Sequence, residues 1–100
     1  MTTYPIYDEQ GRLFAFEVPN WRIGRRGVCG VVRRIPGAIL TRRPMLLSWF
    51  QEEVFCEFEV DGATFVAEEP WGDNSRYWIG PEPPQWLAQT ERVHRVFLEW

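Results

Sequence analysis

The sequence predicts an α+β fold, in which a single antiparallel sheet of about five or six strands carries two helices packed on one face. Three observations predict it. Several segments have the alternation or turn signals of strands, two stretches have apolar residues at helical spacing, and 100 residues is the length of one domain. The expected order is ββ-α-β-β-β-β-α, in a single domain covering residues 1–100.

The first two strands are expected to form a hairpin. Tyr4–Tyr7 is a short strand, Asp8–Gly11 has turn composition, and Arg12–Val18 is the returning strand. Period-two alternation places three apolar side chains of the second strand on one face: Phe14, Phe16 and Val18.

A helix is predicted over Arg25–Ile35, because four apolar residues cluster on one side at about 100° per residue: Val28, Val31, Val32 and Ile35. Asn20 is a candidate cap for it. Gly27 and Gly30 each weaken such a helix by about 1 kcal/mol relative to alanine. Alternatively, they permit close packing of the helix on the sheet.

The strongest strand signal is a hairpin around Asp61-Gly62, a dipeptide that favours a two-residue turn. This turn fixes the register of the two strands. The apolar face then pairs Val60 with Ala63, Phe58 with Phe65, and Cys56 with Ala67. The other face pairs Glu59 with Thr64, Glu57 with Val66, and Phe55 with Glu68.

The remaining segments complete the predicted order. Ala38–Arg42 and Ser75–Ile79 are expected to be strands, whereas Met45–Phe50 is ambiguous between a strand and a helical turn. The last helix is predicted over Trp86–Glu99, with Pro83 or Pro84 in its first turn. Its apolar residues at helical spacing are Trp86, Val93, Phe97 and Trp100.

Charge and aromatic content are the unusual features of the composition. All eleven basic residues are arginine and none is lysine, and we therefore expect a bacterial source with a genome of high GC content. Aromatic residues make up 16% of the chain. Residues 1–50 carry eight arginines against three acids, a balance of +5, and residues 51–100 carry three against eleven, a balance of −8. The two halves can neutralise each other within one chain or across a dimer.

The stretch E-P-W-G-D-N-S-R-Y-W-I-G-P, at 69–81, holds the candidate binding residues Trp71, Asp73, Asn74, Arg76 and Trp78. Asparagine, aspartate and glycine are typical of turns, so the first half is predicted to be a turn and the second half a strand. In one interpretation the arginine neutralises a row of sheet carboxylates. In the other it clamps an anionic ligand, which the aspartate and asparagine orient.

If Tyr77 points into the core, Arg76 and Trp78 share the opposite sheet face with the acids of the Asp61-Gly62 hairpin and with Phe55 and Val66. This mixture is too apolar for a simple solvent-facing surface. The face is expected to be covered by the segment 42–50 or to be an interface.

A second candidate is a basic face on the first helix, formed by Arg22, Arg25, Arg26 and Arg33. Arginines along one helical face can follow a phosphate backbone. The net charge of −3 and the many nearby carboxylates instead favour a solvated or acid-paired face, so nucleic-acid binding is not expected.

Catalytic and cofactor motifs are missing from the sequence. It has no nucleophile elbow, zinc-protease motif or glycine-rich phosphate loop, and His94 is expected on a polar side of the last helix. Cys29 and Cys56 lack metal-site spacing and are predicted to be reduced, buried thiols. We therefore expect no enzyme activity, no cofactor and no metal.

The sequence favours a non-enzymatic protein-binding module that acts through an aromatic and arginine-bearing sheet face. In size and composition the chain resembles bacterial immunity-type proteins, which implies an immunity or regulator role with a protein partner. The alternative is a binder of a small anionic ligand, using Arg76 with Asp73 and Asn74. Self-association as a homodimer is also open. The start of the chain lacks signal-peptide features, so a cytoplasmic protein without membrane contact is expected.

Overall fold

The computed structural model describes residues 1–42, 54–70 and 75–100, and it confirms the predicted fold class and element order. The segment Met45–Phe50, ambiguous in the sequence, lies outside the described residues. Within them the strands are β1 (Tyr4–Tyr7), β2 (Leu13–Pro19), β3 (Ala38–Arg42), β4 (Val54–Val60), β5 (Ala63–Glu68) and β6 (Arg76–Pro81), and the helices are α1 (Arg25–Val32) and α2 (Gln89–Glu99).

The strands form one antiparallel sheet in the order β1-β2-β6-β5-β4-β3. The last strand in the chain therefore lies in the middle of the sheet. It joins the N-terminal hairpin to the β3–β5 meander. Arg76 and Trp78, which lie on β6, are placed at the centre of the sheet rather than at an edge.

The Asp61-Gly62 turn has the predicted backbone. Asp61 has a φ of 50° and Gly62 a φ of 81°. Two successive residues with positive φ give a two-residue turn whose twist matches that of the flanking strands. Five of the six predicted pairs are confirmed, from Val60 opposite Ala63 to Cys56 opposite Ala67.

The sixth pair, Phe55 with Glu68, is wrong, because β4 contains a bulge between Val54 and Cys56. Val54 lies opposite Glu68 instead, and Phe55 is the additional residue. A bulge changes the direction of the side chain at that position. Phe55 is 1% exposed and packs edge-on against Tyr77, with 4.9 Å between ring centroids, so it belongs to the core.

Helix α1 is shorter than predicted and has a different cap. Gly24 is the N-cap residue and gives no side-chain hydrogen bond, so the expectation that Asn20 caps the helix is wrong. The backbone N–H of Asn20 instead donates to the carbonyl oxygen of Ser75 at 2.9 Å. Although the helix ends at Val32, Ile35 is only 3% exposed and the predicted apolar side is buried.

The two glycines of α1 differ in their surroundings. A Cβ on Gly27 would lie 2.6 Å from Cγ1 of Ile23, so the glycine permits a close approach by that side chain. A Cβ on Gly30 would have nothing within 4 Å. Gly27 is therefore packed against the segment before α1 rather than against the sheet, and Gly30 has no close neighbour, so the prediction of close packing on the sheet is not confirmed for either glycine.

Helix α2 begins at Gln89 rather than at Trp86, so neither Pro83 nor Pro84 lies in its first turn. Val93 and Phe97 are buried as predicted. Trp86 is 40% exposed and lies outside the helix, where the guanidinium of Arg12 stacks on its ring at 4.8 Å. This contact with the first hairpin holds the indole away from the core.

Both helices pack on one face of the sheet, called here the inner face. Helix α1 contacts β3 and β4, α2 contacts β2, and the helices touch each other. The core is rich in aromatic contacts, including stacked Phe58 and Phe65 and edge-on Phe16 and Phe97. In the described part of the chain, no helix has the length and apolar character of a membrane span.

Candidate functional site

The sheet face opposite the helices, called here the outer face, carries a row of residues that crosses five strands. In register these residues are Tyr4 on β1, Glu17 on β2, Trp78 on β6, Glu68 on β5 and Val54 on β4. Directly opposed side chains in an antiparallel sheet have Cβ atoms about 4.5–5.5 Å apart. Trp78 therefore stands between two carboxylates at the centre of the sheet.

The indole of Trp78 leans along β6 and covers Gly80. A Cβ on Gly80 would lie 2.7 Å from Cη2 and 2.9 Å from Cζ2 of Trp78, which shows how closely the ring approaches the backbone. Val66, the register partner of Gly80 on β5, is 2% exposed. On β2, the Cβ of Ala15 would lie 2.9 Å from a Cβ on Gly80, and Ala15 is 0% exposed. The outer face thus has a buried apolar centre with a partly exposed tryptophan above it.

Arg76 extends from β6 across β2 toward β1. Its Nη1 donates to Oε1 of Glu17 at 3.4 Å, and its guanidinium carbon lies 3.5 Å from the ring centroid of Tyr4. The side chain remains 39% exposed. The predicted role in neutralising carboxylates is supported here, although the partner comes from β2 rather than from the β4–β5 hairpin.

Further carboxylates lie on β4, on one side of this cluster. Glu57 accepts a hydrogen bond from Oγ1 of Thr41 at 3.2 Å, and Glu59 lies opposite Ile39, whose side chain is 65% exposed. Among the side chains that the structure describes, the outer face holds four carboxylates, from Glu17, Glu57, Glu59 and Glu68, against the guanidinium of Arg76. A positively charged surface is the complement of such a face.

The other predicted members of the site, Trp71, Asp73 and Asn74, lie outside the described residues. So does the cover that was expected from residues 42–50, apart from the backbone of Arg42 at the end of β3. The structure therefore brings together Arg76 and Trp78 from the predicted set, and it adds Tyr4 and Glu17.

The predicted basic face on α1 has three exposed members, Arg22, Arg26 and Arg33. Arg25 is engaged elsewhere. Its Nε and Nη2 donate to Oε1 of Glu69 at 3.2 and 2.8 Å, and its guanidinium lies over the Phe55 ring at 5.0 Å.

Arg25 and Glu69 form the end of the core rather than part of an open basic surface. Burial, and then the nearby carboxylate of Glu69, raise the pKa of Tyr77 above its usual value. The side-chain oxygen of a tyrosine in this setting stays protonated. The ion pair between Arg25 and Glu69 joins α1 to the residue that follows β5, so its role is structural.

Sequence reasoning missed Trp21, the most exposed large apolar side chain in the described ranges, at 81%. It lies in the turn between β2 and α1, next to Arg22. Its backbone neighbour Asn20 is bonded to Ser75, so this turn adjoins the end of the sheet that carries Arg76. The signal was present as P-N-W-R, a tryptophan in a segment of turn composition.

His94 was expected on a polar side of α2, but the structure places it against the core. Its Nε2 lies 2.6 Å from Oγ1 of Thr3, and its ring is 4.7 Å from that of Phe16. Burial lowers the pKa of His94 below the usual 6.5. Within the described ranges, no three histidine, cysteine, aspartate or glutamate side chains gather as a metal site.

Comparison with protein-family models, with curated proteins and with solved structures gave no match. Function therefore has to be inferred from the geometry of this chain.

Proposed function

We propose that this chain is a non-enzymatic protein-binding domain that binds a basic partner on the outer face of its sheet, in the manner of an immunity or regulator protein. One observation carries the proposal. Trp78 stands between Glu17 and Glu68 at the centre of the sheet face opposite α1 and α2, beside an arginine stacked on Tyr4.

The side chains in this cluster are those that dominate protein interfaces. Tryptophan, tyrosine and arginine are enriched at the few positions that supply most of the binding free energy, and these positions lie in the middle of an interface with polar groups around them. Trp78 and Arg76 have that arrangement, with the carboxylates of Glu57 and Glu59 farther out. The negative rim favours a partner with lysine or arginine side chains.

A small anionic ligand is the second candidate, and the geometry favours it less. The guanidinium of Arg76 already has a carboxylate partner in Glu17 and an aromatic partner in Tyr4. An anion bound to other N–H groups of Arg76 would lie close to the Glu17 carboxylate and would face the further carboxylates of the outer face. Repulsion from these groups opposes its binding.

The proposal is tested by affinity capture of partners from a cell extract at low salt, with three versions of the chain as bait. The test variant is Arg76→Ala with Trp78→Ala. The matched control is Arg34→Ala with Trp100→Ala, which removes the same two residue types from an arginine–tryptophan stack at 4.5 Å on the helix side. Circular dichroism and thermal unfolding establish that all three baits are folded.

We expect the wild-type chain and the control variant to retain the same basic protein, and the test variant to lose at least about tenfold of the affinity, which corresponds to about 1.4 kcal/mol. Binding measured with the purified partner should weaken with added salt and with Glu59→Arg, a charge reversal away from the core. Equal capture by all three folded baits, or an acidic partner insensitive to Glu59→Arg, would refute the proposal.

A further inference from the structure

The first helix carries basic side chains that point away from the sheet. The buried residues of α1 are Val28, Cys29, Val31 and Val32. At about 100° per residue, Arg26 and Arg33 lie on the opposite side of the helix, and both are exposed. Trp21 and Arg22 are exposed in the turn before the helix, Trp21 at 81%. These four residues, Trp21, Arg22, Arg26 and Arg33, are called here the basic surface.

Acidic side chains project from the other side of the same part of the fold. Helix α1 packs against β3 and β4 from the inner face. Phe58 and Val60 of β4 are buried, so Glu57 and Glu59, which alternate with them, lie on the outer face. Next to Glu59, Ile39 of β3 is 65% exposed. The basic surface and the acids of β4 therefore face in opposite directions, with the helix and the sheet between them.

The chain leaves charges of the basic surface without an intramolecular partner. The ion pairs that the structure describes involve other arginines: Arg12, Arg25, Arg76 and Arg92. Within the described ranges, neither Arg26 nor Arg33 forms an ion pair. Because Glu59 projects from the opposite side of the sheet, it can meet these arginines only in another copy of the chain.

We propose that the basic partner of the outer face is a second copy of this chain, which docks its basic surface on the β3–β4 side of that face. The inference rests on the function proposed above, because it names the partner of the same face. Complementary charges favour the contact. Trp21 and Ile39 give each of the two surfaces an exposed apolar side chain, and aromatic side chains are enriched in protein interfaces.

The docked copy also reaches the centre of the outer face. Strand β6 is two positions from β4 in the sheet, and neighbouring strands are about 4.8 Å apart, so Trp78 lies about 10 Å from the line of β4. The smallest dimension of the domain is 25 Å. A single docked copy can therefore cover Trp78 together with the acids of β4.

The two surfaces in this contact are different, so the contact is heterologous. Each copy in a pair still presents one free basic surface or one free outer face, and a further copy can add there. The copies therefore form an open stack whose mean mass rises with concentration. Ion pairs between exposed groups are weak and are screened by salt, so the stack should dissociate at high salt.

The first measurement is sedimentation velocity of the purified chain between about 5 and 500 µM, the range in which weak protein contacts form. It is made at about 0.1 M and at about 1 M salt, between which the Debye length falls from about 10 Å to about 3 Å. At low salt the mean mass should rise with concentration to at least about twice that of the monomer. At high salt the chain should remain monomeric.

Two charge-reversal variants then test the two surfaces. The helix variant is Arg26→Glu with Arg33→Glu, and the strand variant is Glu57→Arg with Glu59→Arg. Each alone should associate at least about tenfold more weakly than the wild-type chain, because like charges then meet in the contact. Mixed in equal amounts, the two variants should associate again, because each basic surface or its reversed form then meets an outer face of opposite charge.

A matched control changes the net charge by the same amount as the strand variant. It is Glu9→Arg with Glu99→Arg, two exposed acids outside both surfaces, and it should associate as the wild-type chain does. Circular dichroism establishes that every variant is folded. If the strand variant does not fold, Glu59→Arg alone takes its place.

A wild-type chain that is monomeric at low salt over the whole concentration range would overturn the inference. The function proposed above would still stand if the extract yields a different basic protein that the Arg76→Ala, Trp78→Ala bait loses. The inference would also be overturned by association that persists at high salt or in either variant alone, by a mixture of variants that stays monomeric, or by an equal loss in the control.

Discussion

Gly80→Ala is expected to disturb the tryptophan at the centre of the outer face without changing any charge. The added Cβ would lie 2.7 and 2.9 Å from two ring atoms of Trp78 and 2.9 Å from the Cβ of Ala15. Carbon atoms in contact are normally about 3.5–4.0 Å apart, so the indole must lift or the strands must separate. Overpacking of this kind costs about 1–3 kcal/mol, which lowers the melting temperature by about 4–8 °C for each kcal/mol.

A double-mutant cycle separates the clash with the ring from other effects of the substitution. Gly80→Ala is measured by urea unfolding, followed by circular dichroism, in the wild-type background and in a Trp78→Ala background. Removing the indole eliminates two of the three close contacts, so the substitution should cost at least about 1 kcal/mol less in the second background.

The same substitution bears on binding, because a displaced indole no longer presents the surface described above. A partner captured by the wild-type chain should bind the folded Gly80→Ala chain more weakly, by about tenfold, or about 1.4 kcal/mol. Equal costs of Gly80→Ala in both backgrounds would show that the indole does not lie over the glycine, and the geometry of the outer face would then be wrong.

Four further substitutions test the helix side of the fold. In thermal unfolding, Gly30→Ala should stabilise α1 by about 1 kcal/mol, since the added Cβ meets nothing within 4 Å. Gly27→Ala should bring no such gain, because its Cβ would meet Ile23. Equal effects of the two substitutions would contradict the assigned packing. Thr90→Val should raise the free energy of unfolding by up to about 1 kcal/mol, because the buried hydroxyl has no hydrogen-bond partner among the described residues. A lower free energy of unfolding would show that the hydroxyl is bonded. The pKa of His94 is lower in the folded chain than in the unfolded chain, so the unfolded chain binds a proton more readily. The contribution of neutral His94 to the free energy of unfolding is therefore complete above pH 6.5 and decreases as the pH falls below it. In denaturant unfolding between pH 7.5 and 5.5, His94→Gln should lose less stability than the wild-type chain, and parallel pH profiles would refute the assignment.

The features that the sequence predicted correctly depend on local signals. The Asp61-Gly62 turn fixes the pairing of the residues nearest to it, so the register from Val60 back to Cys56 could be read directly. The apolar spacing of α1 is also local. The bulge at Phe55 could not be predicted, because V-F-C alternates acceptably in either register, and the choice depends on contacts with Arg25 and Tyr77 from distant parts of the chain.

The candidate site shows the same division. That Arg76 and Trp78 share a face follows from period two in the strand, and the structure has them on the outer face. Their neighbours Tyr4 and Glu17 could not be named, since these depend on β6 pairing with β2 across about 60 residues of chain, and strand order is not a local property. The prediction that α2 begins at Trp86 was wrong, because Trp86 stacks on Arg12, and this is likewise a contact between distant segments of the chain.

The central position of β6 has a consequence for the order in which the chain folds. Until residues 76–81 are synthesised and released, the N-terminal hairpin has no strand that connects it to the β3–β5 meander, and β2 and β5 each leave one edge unpaired. Unpaired strand edges are templates for association with other chains. Insertion of β6 pairs both edges, so the two halves of the sheet become one sheet only after this strand has been added.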